Sequence, residues 1–168
     1  IAEIIAPISQ GDSKNKYFED RARTLILTMI MHMIVDPRYR NQISFATIFD
    51  WLSFIKGTLW EMTGYAVENG KTVIRPNTLG ENERIVRQYA RQFWDLKDSE
   101  KEFGSVISSA QRFMDIFSSP PIAKAMETSE FNGKKFDITQ IAKKRTCVYI
   151  VIPPEKLKTH STWLRLMI

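Results

Sequence analysis

The stretch YFEDRARTLILTMIMHMIV (residues 17–35) decides the fold class of this 168-residue chain. Its apolar residues recur three and four positions apart and widen into an almost wholly apolar surface, which predicts a helix at the centre of a helical bundle. Asp36 and Pro37 end the run, because proline cannot continue a helix. The apolar part is about half of the roughly 20 residues that a bilayer requires, so we interpret it as a core helix.

The next helical pattern follows a polar linker. Ser44 or Thr47 is expected to cap its first turn, and Gly57 is expected to break it before a second helical piece over residues 59–67. Asn69-Gly70 then predicts a turn that leads into a short extended piece. This region therefore combines two short helices with one extended segment.

Residues 81–96 predict an amphipathic helix that buries Ile85, Tyr89 and Phe93. The rest of its surface carries Arg84, Arg87 and Arg91.

A further amphipathic helix is predicted to begin at Ser99, which forms a capping-box pattern with Glu102. Pro120-Pro121 ends it, and two short helices and a turn are expected between residues 122 and 142. The apolar face of this helix is predicted to consist of Phe103, Val106, Ile107, Ala110, Phe113, Met114 and Phe117.

Residues 146–152 (TCVYIVI) are β-branched and apolar and stop at Pro153, a pattern typical of a buried strand. A lone strand is not stable in water, so we expect the rest of its sheet to lie outside this chain. Another helix is predicted from Ser161. The predicted fold is mainly α, a multi-helix bundle with a short C-terminal strand that belongs to an absent α/β sheet.

The composition is that of a globular domain, with a net charge of +5 and a pI near 9.4. This excess of positive charge is compatible with an acidic partner such as nucleic acid, lipid or protein. The single Cys147 excludes a disulfide framework and a cysteine-based metal cluster, which suits a reducing cytoplasm.

No stretch of the sequence predicts an active site, and we expect no catalytic, cofactor-binding or metal-binding residues in this chain. Gly64 and Gly70 enclose five residues where a phosphate-binding loop needs four, and the segment follows a helix, so we interpret it as a helix-ending turn. His32 has apolar neighbours and is interpreted as a core residue. Acidic residues gather at helix starts, where the helix dipole explains them.

Two basic groups are the candidate contacts with nucleic acid or an acidic partner. Clustered charge with an interleaved aromatic ring is typical of single-stranded nucleic-acid binding, although a solvated surface is the simpler interpretation. The groups are Arg38, Tyr39 and Arg40, and Lys134, Lys135, Lys143, Lys144 and Arg145.

The succession of motifs along nearly the whole chain resembles the coupling proteins of conjugation and type IV secretion, the TraG/TraD family. Each motif is weak alone, and the most specific one is the Val-Tyr-Ile-Val-Ile-Pro-Pro element after a helical region. The motifs are Tyr17-Phe with Ala22-Arg23, Leu25 and Ile30; Glu102-Phe-Gly-Ser105 with Ser109; Phe117 with Pro120 and Ile122-Ala123; Ser129-Glu-Phe131; Asp137-Ile138; and Lys144 with Thr146 and Val148 to Pro154.

This resemblance implies a membrane-anchored hexameric ATPase with a RecA-like nucleotide-binding domain. A mostly helical all-alpha domain is inserted between its Walker A and Walker B elements and receives relaxosome proteins, DNA or protein substrates. On this sequence, residues 17–142 would be the all-alpha domain, residues 1–16 a flank of the nucleotide-binding domain, and residues 143–168 its returning strand and helix.

The resemblance leads us to expect a cytoplasmic, substrate-recognition domain of a bacterial inner-membrane protein, which recruits relaxase, adaptor or effector proteins. Two alternatives remain open, a direct single-stranded DNA-binding module and a structural part of the motor. Both Walker motifs are missing from this chain, so we expect it to be no enzyme, with ATP and Mg²⁺ bound only by the full-length protein. The fragment is expected to be a monomer and the full-length protein a hexamer.

Overall fold

A computed structural model describes residues 13–39, 43–120, 122, 130–131, 134–135, 143, 145, 147 and 149–167. Six α-helices and two short strand pairs lie in these ranges. The elements are α1 (Ser13–Val35), α2 (Phe45–Ser53), α3 (Ile55–Thr63), β1 (Tyr65–Glu68), β2 (Lys71–Ile74), α4 (Glu81–Leu96), α5 (Glu100–Met114), β3 (Glu130–Phe131), β4 (Lys134–Lys135) and α6 (Ser161–Met167), with 3-10 turns at Pro37–Tyr39, Asp115–Ser118 and Pro154–Lys156.

The predicted mainly α bundle is confirmed, with α1 at its centre. This helix packs against α4, α5 and α2. Leu25, Ile26 and Met29 are almost completely buried, as the apolar stripe requires. Burial does not extend around the whole helix, because Leu27 and Ile34 are 44% and 64% exposed. Among the described residues, every helix is too short or too polar to cross a bilayer.

Both predicted boundaries between α1 and α2 are confirmed. The N–H of Asp36 donates to the carbonyl of His32 at 2.9 Å, and Pro37 then begins a 3-10 turn. Ser44 is the cap of α2, since its hydroxyl accepts from the N–H of Ala46 at 3.1 Å.

The predicted break at Gly57 is wrong. The chain turns at the exposed Phe54, whose N–H donates to Trp51, and Gly57 lies within α3. The helix ends at Thr63 because Gly64 adopts a left-handed conformation, with φ of 75°, at no steric cost. Residues 65–67, expected to be helical, therefore belong to a strand.

The predicted turn at Asn69-Gly70 is confirmed as the two-residue loop of a β-hairpin. Asn69 and Gly70 have φ values of 50° and 74°, which matches the twist of the flanking antiparallel strands. β1 and β2 pair in the register Tyr65 to Ile74 and Glu68 to Lys71. The hairpin therefore follows α3 directly and connects it to α4.

Helix α4 has the predicted bounds, but its buried face is centred one position further along. Val86, Ala90 and Phe93 are buried, whereas Ile85 is half-buried and Tyr89 is 39% exposed. The sequence contains two possible apolar stripes, Ile85-Tyr89-Phe93 and Val86-Ala90-Phe93. Because both include Phe93, the sequence pattern alone does not distinguish which of them is buried. Packing against α1 and α3 selects the stripe that contains the small Ala90.

Helix α5 ends at Met114 rather than at Pro120, and the 3-10 turn Asp115–Ser118 follows it. The predicted apolar face is buried along both elements, with Phe113 half-buried at the edge. Its capping box is not formed, since Ser99 occupies the cap position without a side-chain cap bond to any described residue. Glu102 instead accepts a hydrogen bond from the hydroxyl of Tyr17 at 2.6 Å. That contact joins the N-terminal part of α1 to the first turn of α5.

The predicted C-terminal strand is not formed by the described residues of 146–152. Cys147 and residues 149–152 pair with no strand in the part of the chain that is described. Cys147 is exposed rather than buried, and Tyr149 and Val151 are 87% and 88% exposed. A strand forms only where a neighbour pairs with its backbone groups, and no described residue does so here.

The remaining predictions for the C-terminal part have mixed outcomes. α6 begins at Ser161 as predicted, and its Trp163 and Leu166 pack against the core. β3 and β4 pair antiparallel on either side of the predicted turn at Asn132-Gly133, which lies outside the described residues. The short helices expected between residues 122 and 142 also lie almost wholly outside them.

Truncation of the fully buried Phe93 tests the core. Phe93→Ala is expected to lower the free energy of unfolding by about 3–5 kcal/mol, because burial is lost and a cavity remains. Phe54→Ala is the matched control, since Phe54 is 78% exposed and its loss should cost less than about 1 kcal/mol. Urea denaturation measures both, and equal losses would contradict the described core.

Candidate functional site

A polar concavity with an arginine-rich lining lies between the hairpin and the outer face of α4. We call it the arginine groove, and its volume is about 620 Å³. Its lining residues are Ile74, Arg75, Asn77, Arg84, Arg87, Gln88, Arg91, Gln92 and Asp95.

The segment that joins β2 to α4 is ordered by two acceptor side chains. The side-chain oxygen of Asn77 accepts from the N–H groups of Leu79 and Gly80, at 3.2 and 3.1 Å. Glu83, in the first turn of α4, accepts from the N–H groups of Thr78 and Leu79, at 3.0 and 2.8 Å. These bonds satisfy backbone donors before the helix start and hold one wall of the groove.

The Glu83 carboxylate is ionised at neutral pH. Burial alone would raise its pKa, but the N–H groups of Leu79 and Thr78 and the guanidinium of Arg87 outweigh burial and hold the pKa below its ordinary value. Glu83 and Arg87 form an ion pair one helical turn apart, and their side chains are only 15% and 12% exposed. The pair is therefore a fixed part of the groove.

Arg87 connects three elements at the base of the groove. Besides Glu83, its guanidinium donates to the carbonyl of Arg75 and, at 3.0 Å, to that of Pro76. It also lies directly over Gly64, where an added Cβ would come within 2.7 Å of the guanidinium carbon. Glycine is required here both for the left-handed backbone and for this close approach.

Arg91 binds the end of α3. Its guanidinium donates twice to the carbonyl of Thr63, at 3.2 and 3.1 Å, and lies 5.4 Å from the ring centre of Tyr65. A cation at a helix C-terminus satisfies a free carbonyl and complements the helix dipole. Arg91 is thus held in place without a carboxylate partner among the described residues.

The remaining two arginines of the groove lie near its surface. Arg84 pairs with Glu81, and both side chains are more than half exposed, so this ion pair contributes little to stability. Arg75 is exposed, and its side chain makes no hydrogen bond or ion pair with the described residues. Two anchored and two accessible guanidinium groups therefore line one groove.

A second polar cluster lies at the C-terminal end of α1. We call it the Arg38 clamp and define it as His32, Asp36, Arg38, Tyr39 and Glu61. The guanidinium of Arg38 pairs with Asp36 through two nitrogens and with Glu61 at 2.7 Å. The hydroxyl of Tyr39 donates to the same oxygen of Glu61 at 3.1 Å.

Burial and charge shift the pKa values of the clamp. Hydrogen bonding to Arg38 lowers the pKa of Asp36, and burial lowers the pKa of His32, so that the carboxylate is charged and the imidazole neutral. Burial and Glu61 raise the pKa of Tyr39. The rings of His32 and Tyr39 lie 5.4 Å apart, which encloses the clamp on its apolar side.

Ligand atoms of three clamp residues, His32, Asp36 and Glu61, lie within 4.8 Å of one another. All three line a cavity of about 60 Å³, large enough for an ion or a few waters. Arg75 and Arg87 line this cavity as well as the arginine groove. The two sites are therefore neighbours on either side of the same junction.

The candidate contacts from the sequence are distributed over different environments. Arg38 and Tyr39 belong to the clamp, where carboxylates neutralise the guanidinium. Lys134 and Lys135 form β4, and Lys143 and Arg145 are exposed. Arg40 and Lys144 lie outside the described residues. Binding of nucleic acid by these eight residues stays a prediction.

Sequence reasoning did not identify the arginine groove. Arg84, Arg87 and Arg91 are visible as spacings of three and four residues on one side of a predicted helix. That regular spacing was a usable signal. Arg75 completes the set only because the hairpin folds back onto α4, and no local pattern predicts that contact.

Gly64→Ala tests the junction beneath Arg87. We expect the free energy of unfolding to fall by about 1–2 kcal/mol. The Cβ of an alanine is strained in the left-handed conformation, and Arg87 must also move to make room for it. Gly57→Ala is the control, since Gly57 is helical with open space around it and should gain about 0.5 kcal/mol. Urea denaturation measures the free energy of unfolding of both variants. Equal changes in the two variants would contradict the described contact between Gly64 and Arg87.

Glu83 predicts a pH dependence of stability. Its pKa is lowered by folding, so its stabilising contribution is complete above the ordinary value of 4.5 and is lost as the pH falls through the folded value. The free-energy difference between the parent and Glu83→Gln should therefore be largest above about pH 5 and shrink in more acidic buffer. Chemical denaturation across pH 3–7 measures it, and a constant difference would refute the assignment.

Comparison with known proteins supports the resemblance seen in the sequence. No curated protein and no solved structure matches the chain. A family model described as "Type IV secretory system Conjugative DNA transfer" matches residues 1–168, the full length given. The chain therefore belongs to the family of type IV secretory system proteins for conjugative DNA transfer.

Proposed function

We propose that this chain supplies the substrate-receiving domain of a type IV secretion coupling ATPase and recruits protein or nucleoprotein cargo for translocation. The observation that carries the proposal is the arginine groove, an array of guanidinium groups on a helical unit with a core of its own. The all-alpha domain over residues 17–142 is the part to which we assign recruitment.

The chemistry of the groove favours a polar, acidic segment of a protein. Guanidinium groups form paired hydrogen bonds with carboxylates, and Gln88 and Gln92 add donors and acceptors suited to peptide groups. Arg87 and Arg91 are already held by backbone carbonyls, so little side-chain freedom is lost when a ligand binds. A relaxase, adaptor or effector protein with such a segment fits the site.

The lining favours protein over single-stranded DNA. Non-specific binding of single strands combines basic charge with exposed aromatic rings on which bases stack. None of the nine residues that line the groove is aromatic, so the groove offers no ring on which a base could stack. Direct DNA binding is therefore the alternative outcome of the experiment below.

The other properties of a coupling ATPase belong to the same proposal. They are ATP and Mg²⁺ binding by the full-length protein, an inner-membrane anchor, a cytoplasmic position for this domain and assembly into a hexamer. We assign no residue of this chain to them. The motor alternative, in which the bundle is only structural, predicts that groove variants alter ATP turnover rather than substrate binding.

A charge-reversal pair tests recruitment. Arg75→Glu/Arg84→Glu should weaken binding of the relaxase or adaptor of the same secretion system by about tenfold or more, since both arginines are accessible and would repel an acidic segment. The measurement is biolayer interferometry at about 150 mM salt, where screening matches physiological conditions. An oligothymidylate probe runs in parallel.

The matched control carries the same charge change outside the groove. Lys56→Glu/Lys101→Glu alters two exposed lysines that do not line it, and it should bind substrate like the parent. If both double variants weaken substrate binding equally, the cause is the change in net charge and not the groove. If the parent binds oligothymidylate but binds neither the relaxase nor the adaptor, direct DNA binding replaces the proposal.

A further inference from the structure

The Arg38 clamp contains a buried imidazole that its ion pairs do not use. His32 is 8% exposed, and neither ring nitrogen is hydrogen-bonded to a described residue, although the ring lines the cavity of the clamp. Buried polar side chains normally have a partner, so an imidazole that faces a cavity without a protein partner leaves a place there for water or an ion. Arg38 forms ion pairs with Asp36 and Glu61, but it provides no hydrogen-bond partner for His32.

We propose that the clamp is a binding site for a divalent transition-metal ion with the ligand preferences of Zn²⁺. A ring nitrogen of His32 and carboxylate oxygens of Asp36 and Glu61 are its ligands, with water in a fourth position. Arg38 is the cation that the metal ion displaces.

The ligand types and their spacing fit such an ion. One imidazole and two carboxylates are ordinary Zn²⁺ ligands, and three protein ligands leave a position for water. His32 and Asp36 are one helical turn apart at the end of α1, and Glu61 approaches them from α3, so two packed elements present the ligand atoms within 4.8 Å. The adjoining cavity of about 60 Å³ holds the water.

A neighbouring hydroxyl group also suits a metal ion. The hydroxyl of Tyr39 donates to Glu61 and orients that carboxylate, as outer partners of metal ligands do.

Displacement of Arg38 requires little rearrangement. Its side chain is 58% exposed, whereas that of Asp36 is 10% exposed, so the guanidinium can turn into solvent while the ligands stay in place. Two carboxylates that face one another need a positive charge between them, and either Arg38 or a metal ion supplies it. Replacement of the Arg38 guanidinium by a metal ion therefore converts the ion-paired clamp into the metal-bound clamp.

The experiment measures thermal stability of the chelator-treated 168-residue chain with and without Zn²⁺. A Cys147→Ser background removes the exposed thiol, a competing ligand for Zn²⁺. We expect Zn²⁺ to raise the melting temperature of the parent by mass action. Arg38→Met should melt lower without metal, because Asp36 loses its partner, and should gain more from Zn²⁺ than the parent does.

Two controls separate the metal site from a simple ion pair. Arg84→Met removes an arginine from the surface pair with Glu81, and its response to Zn²⁺ should equal that of the parent. Arg38→Met/His32→Gln should lose the rescue, whereas Arg38→Met/His160→Gln should keep it. Zn²⁺ responses of Arg38→Met no larger than those of Arg84→Met, or rescue that survives loss of His32, would overturn the proposal.

A spectroscopic measurement covers the case in which a variant does not fold. Co²⁺ added to the parent in the Cys147→Ser background should produce the visible absorption of a low-coordinate site, and Zn²⁺ should remove it in competition. A spectrum identical to that of hydrated Co²⁺ overturns the proposal without reference to any clamp variant.

Discussion

The approach of Arg87 to Gly64 is the contact on which the rest of the site depends. Gly64 ends α3 in a left-handed conformation, and only the absence of a Cβ lets the guanidinium lie over the backbone at that point. From there Arg87 reaches the carbonyls of Arg75 and Pro76 and the carboxylate of Glu83. The end of one helix, the exit of the hairpin and the start of the next helix are thereby joined through one side chain.

The same junction lies between two sites that carry different charged groups. On the outer side, arginines and amides form a groove that offers donors to an acidic ligand. On the inner side, Asp36 and Glu61 face each other beside a neutral imidazole and require a cation. Arg75 and Arg87 line both the cavity of the clamp and the groove. A different cation in the clamp would therefore change the electrostatic potential in the groove, because charges within roughly one Debye length of each other are incompletely screened at physiological salt.

Several features set by single residues were predictable from the sequence, although the break at Gly57 and the capping box at Ser99 were predicted wrongly. The features below that depend on packing between elements were missed. Asp36-Pro37, the cap at Ser44 and the turn at Asn69-Gly70 depend on single residues with strong conformational preferences, and all three are confirmed. The buried face of α4 was misassigned because two stripes share Phe93, and only α1 and α3 distinguish them. The groove and the clamp were missed for the same reason, since Arg75 meets Arg87, and Glu61 meets Asp36, only after the helices pack.

Anchored arginines suit a site that must hold a substrate and then release it. A long side chain that is free in solution loses conformational entropy on binding, whereas Arg87 and Arg91 are already fixed by carbonyls and lose little. Fixed donors give orientation and selectivity, yet ion pairs at an exposed groove remain screened and individually weak. In the role proposed for it, a surface built this way would recognise its partner through geometry rather than through tight binding. The family is described by conjugative DNA transfer, and the proposed receiving role would require release of each substrate, since an irreversible complex would block the next one.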